Sequence, residues 1–239
     1  MSTDWQERSR MLLGETGVEI LSSASVLVAG LGGVGSWAAE HLARSGVGHI
    51  GLVDDDRISA TNINRQLPAL HSTIGRQKTS VMSERLQDIN PQVKISIHPC
   101  FITGNSLQQE IAIDKYDYVL DCIDTLTPKI ELISHCLQKK VPHMSSLGSA
   151  GKTDPTAIQI SDISKSYNCN LGRILRKRLH RQGIYKGFPV VFSTEKTDKS
   201  KIVLEQGRHK LSNAGTISPI PAIFGSFMAA EAIRWLVER

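Results

Sequence analysis

The sequence lacks paired cysteines. Its four cysteines, Cys100, Cys122, Cys136 and Cys169, occur singly, and no CxxC pair brings two together. Structural zinc sites and disulfide frameworks need closely spaced cysteines, so this spacing excludes a zinc knuckle and a disulfide scaffold. Cys122 and Cys136 lie in apolar segments where we expect buried thiols, which leaves Cys169 as the candidate for exposed thiol chemistry.

Long uninterrupted apolar runs are also absent. The longest apolar stretch, ISPIPAIFGSFMAAEAIRWLV, contains two prolines together with Glu231 and Arg234. We read it as a buried turn followed by an amphipathic helix rather than a membrane span. The first residues, MSTDWQERSRMLLGE, are polar and charged, unlike a secretory signal. The sequence therefore predicts a cytoplasmic protein with no membrane partner.

Acidic residues are missing from one short segment, RILRKRLHR, and this segment accounts for the net charge. The whole chain has 28 Lys and Arg against 23 Asp and Glu, a formal charge of +5. The five basic residues of the segment are Arg173, Arg176, Lys177, Arg178 and Arg181. At helical spacing most of them share one broad face, which predicts contact with the phosphate backbone of RNA; a solvated helix surface is the alternative. Tyr167 and Phe188 lie nearby and are candidates to stack on a base, or else they pack in the fold.

The order of the apolar segments predicts an α/β protein. SSASVLVAG, HIGLVDDD, VKISIHP and YDYVLDCID are strand-like, and helix-like segments separate them, as parallel strands require. After Gly151 the alternation weakens into a strand bounded by turns, the basic helix and the strand GFPVVFSTEK. We predict one domain over residues 1–239, with a doubly wound, mostly parallel, Rossmann-like core at about 20–150 and a C-terminal elaboration at about 151–239 that contains antiparallel strands.

A glycine-rich turn follows the first strand. Gly30, Gly32 and Gly35 fit the pattern GxGxxG between a strand and a helix, where backbone N–H groups approach a phosphate at the helix N-terminus. Asp54 follows the second strand, at the spacing of an acid that accepts ribose hydroxyls. These features favour nucleotide binding over a structural glycine turn, and they leave open whether the nucleotide is a dinucleotide or ATP.

The residues beyond Asp54 favour a triphosphate. Asn62, Arg65 and Lys78 supply an amide and two cations for which a redox enzyme has no evident need. Each alone is typical of a solvated surface, but their clustering makes them candidate phosphate ligands.

A second carboxylate signal lies in LDCIDT. Asp121 and Asp124 end a strand on the same side of the sheet as the glycine turn, where ligands of doubly wound folds bind. Asp124 is therefore the candidate ligand for Mg²⁺. The alternative is that Asp124 or Thr125 caps the following helix.

The motif GLGGVGSWAAEHLARSGVGHIGLVDDDRISATNINRQ, followed by GRQK and LDCIDT, resembles the adenylating superfamily that includes ubiquitin-activating enzymes and the molybdopterin-synthase and thiamine-pathway adenylyltransferases. The resemblance covers about Arg8 to Leu147. It implies ATP and Mg²⁺ as cofactors and a homodimer in which an arginine of one protomer reaches the partner's site, either Arg8 or, as second choice, Arg10. The nucleotide-binding set that it implies is Gly30, Gly32, Gly33, Gly35, Asp54, Asp56, Asn62, Arg65, Lys78, Asp124 and Thr125, with Asp124 at the metal.

Within the superfamily, TNINRQLPAL, DPTAIQISDISKSYNCNLGRILRKRLHRQGI, VVFSTEK and SPIPAIFGSFMAAEAI resemble the branch whose enzymes cyclise the threonylcarbamoyl group on a tRNA adenosine. This resemblance implies an ATP-dependent dehydration through an acyl-adenylate, with release of AMP and pyrophosphate. It implies catalytic roles for Arg8, Arg65, Lys78 and Asp124, with tRNA as the substrate partner. The stretch TDKSKIVLEQGRHKL, residues 197–211, departs from the pattern and has no assigned role.

Three alternatives remain open from the sequence. One is an adenylyltransferase that activates the C-terminus of a ubiquitin-like sulfur carrier, although such enzymes commonly carry CxxC pairs or a reactive cysteine. The others are an NAD-dependent oxidoreductase and a tRNA-binding protein without turnover. Sulfur-transfer partner proteins, and the roles of Cys169 and of the segment from Ser193 to Lys196, also stay open.

Overall fold

A seven-stranded sheet forms the centre of the molecule in the computed structural model, which describes residues 4–197, 202–203 and 213–239. The strands are β1 (Ser25–Ala29), β2 (His49–Val53), β3 (Lys94–His98), β4 (Tyr118–Asp121), β5 (His143–Ser146), β6 (Ile158–Asp162) and β7 (Pro189–Ser193). Their order across the sheet is β3-β2-β1-β4-β5-β7-β6, and all neighbours are parallel except β6 and β7. A short antiparallel pair, β8 (Ile202–Val203) and β9 (Asn213–Ala214), lies outside this sheet. The predicted fold class is confirmed.

Helices cover both faces of the sheet. They are α1 (Glu7–Ser23), α2 (Gly35–Arg44), α3 (Lys78–Ile89), α4 (Gly104–Gln109), α5 (Leu126–Lys139), α6 (Asn170–His180) and α7 (Pro219–Glu238). Because side chains alternate along a strand, Val26 and Val28 of β1 pack in the core with α2, α3 and α7, whereas Leu27 and Ala29 pack on the side of α4 and α5. This is the layered arrangement of a doubly wound sheet.

Helix α7 is part of the core. By length and composition alone it is apolar enough to cross a membrane. It instead packs along α2 and places Phe224, Met228 and Ala232 in the main core. Pro219 opens the helix directly, without the separate buried turn that the sequence suggested, because proline suits the first helical position.

Helix α1 was not predicted from the sequence. Gly14 interrupts it with a φ of 72°, so its apolar residues do not keep one helical period along its length. Val18 and Leu21 in its second half are buried, whereas Met11 and Leu12 before the break are 81% and 84% exposed.

Candidate nucleotide site

A crevice lies where the chain reverses direction across the sheet. From β1 the chain proceeds to β2 and β3 on one side, and β4 then pairs with β1 on the other side, so the carboxyl ends of β1 and β4 flank this point. A cavity with about 430 Å³ of open space is found there. It is lined by Gly30, residues 53–56, 100–102 and 123–125, and Pro128. Asp54, Asp56, Asp124 and Thr125, predicted separately, are therefore brought together with Gly30.

The glycine turn is tightly packed on its inner side. A Cβ atom at Gly35 would lie 1.8 Å from the Gly30 carbonyl oxygen, and one at Gly30, whose φ is 90°, would lie 3.0 Å from the Cys122 carbonyl oxygen. A Cβ atom at Gly32, by contrast, would have the Gln66 amide nitrogen as its nearest neighbour, at 3.7 Å. The turn thus needs glycine for its own closure at two positions, while Gly32 leaves backbone accessible to a ligand.

Asp54 braces the glycine turn from the end of β2. One carboxylate oxygen accepts a hydrogen bond from the Leu31 N–H at 2.6 Å, and the other accepts one from the Asp56 N–H at 2.9 Å. Burial raises the pKa of the Asp54 carboxyl, while the Lys78 ammonium and these two hydrogen bonds act in the opposite direction. Asp54, the predicted ribose-binding acid, is therefore joined directly to the glycine turn.

Lys78 is the first residue of α3 and its side chain is buried, at 4% exposure for the residue. Its Nζ atom lies 2.7 Å from an Asp56 carboxylate oxygen and 3.5 Å from one of Asp54. A buried ammonium needs such partners, because desolvation of an unpaired charge is costly. Lys78 is thereby held next to two carboxylates that line the cavity.

Arg65 lies beside the glycine turn. A Cβ atom at Gly33 would lie 3.4 Å from the Arg65 Cγ atom and 3.0 Å from the Pro221 side chain of α7. The Arg65 guanidinium donates to the Thr61 carbonyl at 3.0 Å, and Asn62 accepts from the Ser59 N–H at 3.1 Å. Both predicted phosphate ligands thus sit in the connection between β2 and α3, outside the lining of the cavity itself.

Two aspartates at the end of β4 differ in environment. Asp121 is fully buried and pairs with Lys129, whereas Asp124 is exposed and lines the cavity. Thr125 is the residue that precedes α5, and its side chain makes no capping hydrogen bond. The carboxylates of Asp54, Asp55 and Asp56 cluster within 4.8 Å at the same cavity, so the donor atoms here are the oxygens that suit Mg²⁺.

The basic segment forms α6, with Leu175 and Leu179 buried on its inner side. Four of the five predicted cations are exposed to solvent: Arg173, Lys177, Arg178 and Arg181. Arg176 differs, because it is half-buried and donates a hydrogen bond to the Ser166 hydroxyl. The helix therefore presents a basic outer face that is narrower than the sequence suggested.

The expectation of exposed thiol chemistry at Cys169 was wrong. Cys169 is only 8% exposed, and its sulfur accepts from the Gly148 and Gly172 N–H groups at 3.3 Å each. It caps α6 from inside the fold, a role that local sequence does not reveal. Phe188 is also buried, stacked on His143 with ring centroids 5.1 Å apart, while Tyr167 is exposed.

The segment from Ser193 to Lys196, whose role was open, contacts a turn after β5. The Glu195 carboxylate accepts from the Thr153 N–H at 2.8 Å and the Asp154 N–H at 2.9 Å. The buried Lys152 ammonium donates to the carbonyls of Glu195 and Asn168, and burial lowers its pKa. These contacts join the end of β7 to the start of α6. Residues 198–201 and 204–211 of the unassigned stretch lie outside the described residues.

Some cavity residues carried no signal in the sequence. Phe101, Ile102 and Pro128 add an apolar part to the lining of the pocket, beside its carboxylates. The first two lie in a connection between β3 and α4 without a motif. Only the crossing of that connection over the carboxyl edge of the sheet brings them to the site.

The two candidate arginines of α1 are in different environments. Arg10 is paired with Asp4 at 3.0 Å and with Glu15, all within the first part of the chain. Arg8 is exposed, and no salt bridge of its side chain is found among the described residues. Neither arginine lines the cavity of its own protomer.

A glycine turn, an acid at the end of β2 and a carboxylate after β4 around one crevice define a doubly wound α/β protein of the nucleotide-binding class. The ThiF family pattern matches residues 6–239, and the chain belongs to this family.

Individual relatives match over most of the chain. The chain is 44% identical to the tRNA threonylcarbamoyladenosine dehydratase of Bacillus subtilis over 85% of this chain and 78% of the relative. It is 34% identical to the Escherichia coli protein of the same name, over 100% and 97% of the two chains. The crystal structure of that E. coli dehydratase with ATP superposes with a TM-score of 0.89 at 35% identity, covering 99% of this chain and 96% of the other.

Proposed function

We propose that this protein uses ATP to dehydrate and cyclise the threonylcarbamoyl group on a tRNA adenosine, with release of AMP and pyrophosphate. The observation that carries the proposal is the meeting of Gly30, Asp54 and Asp124 at one cavity, in a chain that is similar over nearly its whole length to dehydratases of that name. One of these relatives has been crystallised with ATP and with AMP, which are the substrate and product expected of an adenylating reaction.

The nucleotide enters the cavity with its ribose at Asp54 and its base against the apolar wall of Phe101 and Ile102. The Gly32 and Gly33 backbone approaches the phosphates at the N-terminus of α2, where the helix dipole favours anions. Lys78 and Arg65 are the proposed cations that neutralise the triphosphate, and the Asn62 amide is a proposed hydrogen-bond donor to it. Asp56 and Thr125 complete the wall around it.

The oxygen donors at the cavity fit a magnesium ion, with Asp124 as the proposed ligand. When bound, Mg²⁺ neutralises phosphate charge and orients the triphosphate. The residues of this chain perform the remaining tasks: Lys78 and Arg65 stabilise the charge that develops on the transferring and leaving phosphates.

The reaction needs no side-chain nucleophile. A carboxylate oxygen of the threonyl group attacks the α-phosphorus, and the bond to pyrophosphate breaks. The neighbouring carbamoyl group then attacks the acyl carbon, loses a proton and expels AMP, so the nucleoside loses one water. The cysteines are consistent with this. Burial raises the pKa of Cys122 and Cys136, and raises that of Cys100 to about 11, which disfavours the thiolate form that acts as a nucleophile.

The basic face of α6 is the proposed tRNA contact. Arg173, Lys177, Arg178 and Arg181 are exposed there without a paired acid in the helix. Tyr167, which is exposed just before α6, is suited to stack on a base. Arg176 supports this face through Ser166 in addition to its charge.

We further propose a homodimer in which Arg8 reaches the partner's cavity. Arg10 is occupied by Asp4 and Glu15, which favours Arg8. Met11 and Leu12 follow on the same exposed stretch of α1, and their large apolar side chains are suited to burial against a second copy.

We infer that residues 1–239 act as one adenylation domain. Its support is that β7, from the C-terminal part, continues the same sheet beside β5, and that α7 packs on α2. We expect a cytoplasmic location, where tRNA is available; sulfur-transfer partners have no support from the described residues.

Mass spectrometry of nucleosides tests the proposed function. tRNA carrying threonylcarbamoyladenosine, incubated with the protein, ATP and Mg²⁺, should lose one water from that nucleoside while AMP and pyrophosphate form. Asp124→Ala should abolish both signals. Formation of ADP, or an unchanged nucleoside mass with active turnover of ATP, would contradict the proposal.

A further inference from the structure

A fully buried ion pair lies at the end of β4, close in the chain to residues that line the nucleotide cavity. Lys129, on α5, has 0% exposure, and its Nζ atom lies 2.6 Å from a carboxylate oxygen of Asp121, the last residue of β4. Neither side chain lines the cavity. The pair therefore does not contact a ligand in the cavity directly.

The Asp121 carboxylate accepts three hydrogen bonds. The oxygen that meets Lys129 also accepts from the Ser145 hydroxyl of β5 at 2.6 Å. Its second oxygen accepts from the Ile123 N–H at 3.1 Å. One carboxylate thus joins β4, β5, the following loop and α5, and charge-assisted bonds of this kind fix direction as well as distance.

These contacts bracket Asp124 in the sequence. Ile123 immediately precedes it, and Lys129 follows it on the first turns of α5, so the segment between them is held at both ends by the same carboxylate. The loop is also fixed from the other side, because the Cys122 N–H donates to the Ala29 carbonyl at 2.8 Å. Asp124, Thr125 and Pro128 lie within this segment and line the cavity.

Stability alone does not account for such a pair. Burying two charges costs desolvation energy that their attraction only partly returns, and well-packed apolar side chains in the same place are often as stable. The same helix has apolar side chains in such places, since Leu132 and Ile133 of α5 are fully buried in two apolar clusters. What apolar residues do not supply is a directional hold on the Ile123 backbone.

We propose that Asp121, Lys129 and Ser145 are positioning residues that hold Asp124 at the cavity in the orientation needed for metal-bound triphosphate. This inference rests on the proposed function for the identity of the ligand. It assigns no contact with ATP to the three residues. It predicts that their loss changes how much Mg²⁺ is needed for ATP binding while the fold is retained.

The test measures ATP binding by calorimetry across a range of Mg²⁺ concentrations, without tRNA, together with thermal unfolding. In the double variant Asp121→Leu/Lys129→Met both charges are removed; methionine matches lysine in size, whereas leucine is larger than aspartate. We expect it to remain folded and to need about tenfold more Mg²⁺ for half-maximal ATP binding, the effect of losing support behind a metal ligand. Ser145→Ala, which keeps the ion pair, should raise the requirement by a smaller factor.

The matched control is Ser134→Ala, which removes a serine hydroxyl of α5 that donates to Gln182 at 2.7 Å, away from the cluster. It should bind ATP with the Mg²⁺ dependence of the wild type. An unchanged Mg²⁺ requirement in both the double variant and Ser145→Ala overturns the proposal, and if the double variant does not fold, Ser145→Ala alone decides. Wild-type protein that binds Mg²⁺ and ATP but leaves tRNA unmodified contradicts the proposed function instead, and the two failures are distinguishable.

Discussion

The Nζ atom of Lys78 lies 2.7 Å from the exposed carboxylate of Asp56 and 3.5 Å from the buried carboxylate of Asp54. The two carboxylates differ in exposure to solvent: the Asp56 side chain is 66% exposed and that of Asp54 only 8%. Asp56 is therefore free to release the ammonium when a phosphate arrives, while Asp54 keeps it in place.

Substitution of Lys78 tests this arrangement. Lys78→Met removes a cation aimed at the phosphates, and we expect the rate of AMP formation to fall by about 100-fold or more, as for other groups that stabilise transition-state charge. The measurement is single-turnover formation of AMP at saturating ATP. Lys94→Met, an exposed lysine at the start of β3, is the control and should react at the wild-type rate. Similar rates for the two variants would remove Lys78 from the mechanism.

Two glycines of the same turn should respond differently to alanine. Gly35→Ala places a Cβ atom 1.8 Å from the Gly30 carbonyl oxygen, and we expect the free energy of unfolding to fall by about 3 kcal/mol. Gly32→Ala has its nearest neighbour at 3.7 Å, so stability should be retained while ATP affinity drops about tenfold, because the methyl group blocks approach of the phosphates. Denaturant unfolding and calorimetry distinguish the two effects. Equal stability of the variants would contradict the prediction.

The basic face of α6 should govern the salt dependence of tRNA binding. In Arg173→Gln/Lys177→Gln/Arg178→Gln three exposed cations are lost, and the slope of log K against log salt should decrease by about 3. ATP binding should be unaffected. Arg176→Gln should lower thermal stability more than Arg173→Gln, Lys177→Gln or Arg178→Gln made singly, because it breaks the hydrogen bond to Ser166. If the triple variant keeps the wild-type slope, tRNA binds to a surface other than the basic face of α6.

Mixed dimers test the position of Arg8. Arg8→Ala and Lys78→Met proteins should each be inactive, yet a heterodimer contains one intact site if Arg8 acts across the interface. Random reassociation after mixing should therefore restore about a quarter of the wild-type activity. Absence of recovery in verified heterodimers would show that Arg8 acts within its own protomer or not at all.

His143 should make stability sensitive to acid. Burial lowers its pKa, Nδ1 faces the Val141 carbonyl, and Nε2 has no partner in the described structure. Below the unfolded value of 6.5 the unfolded chain binds the proton that the native ring does not, so stability is complete above this pH and is lost as pH falls below it. The contribution is at most about 1.4 kcal/mol per pH unit. His143→Gln should reduce the slope of unfolding free energy against pH by this amount, and an unchanged slope would show that the ring already carries a proton.

The nucleotide motif was predictable because its elements are local. The strand, the glycine turn and the helix follow each other directly, and Asp54 and Asp124 come at the ends of strands whose carboxyl ends meet. The predictions failed where a distant contact determines the environment. Cys169 is buried by Gly148 and Gly172, and the half-buried position of Arg176 depends on Ser166.

Lys129 is another residue whose environment the sequence did not reveal, because it is a charged residue that is fully buried. In the sequence it is an ordinary lysine near the start of a helix, a position typical of solvated residues. The packing of α5 against β4 buries Lys129 beside Asp121. The periodicity of a helix or a strand in the sequence does not predict such a contact between two elements.

The contact of Pro221 with Gly33, and of Gly225 with the carbonyl of Val34, has a consequence for how the protein matures. The glycine turn between β1 and α2 is covered by α7, so an early motif is completed by an element that is synthesised much later. A nascent chain that has emerged only as far as β7 should therefore hold nucleotide poorly. ATP binding would then report that synthesis has passed α7, and a partly made enzyme would be kept from consuming ATP.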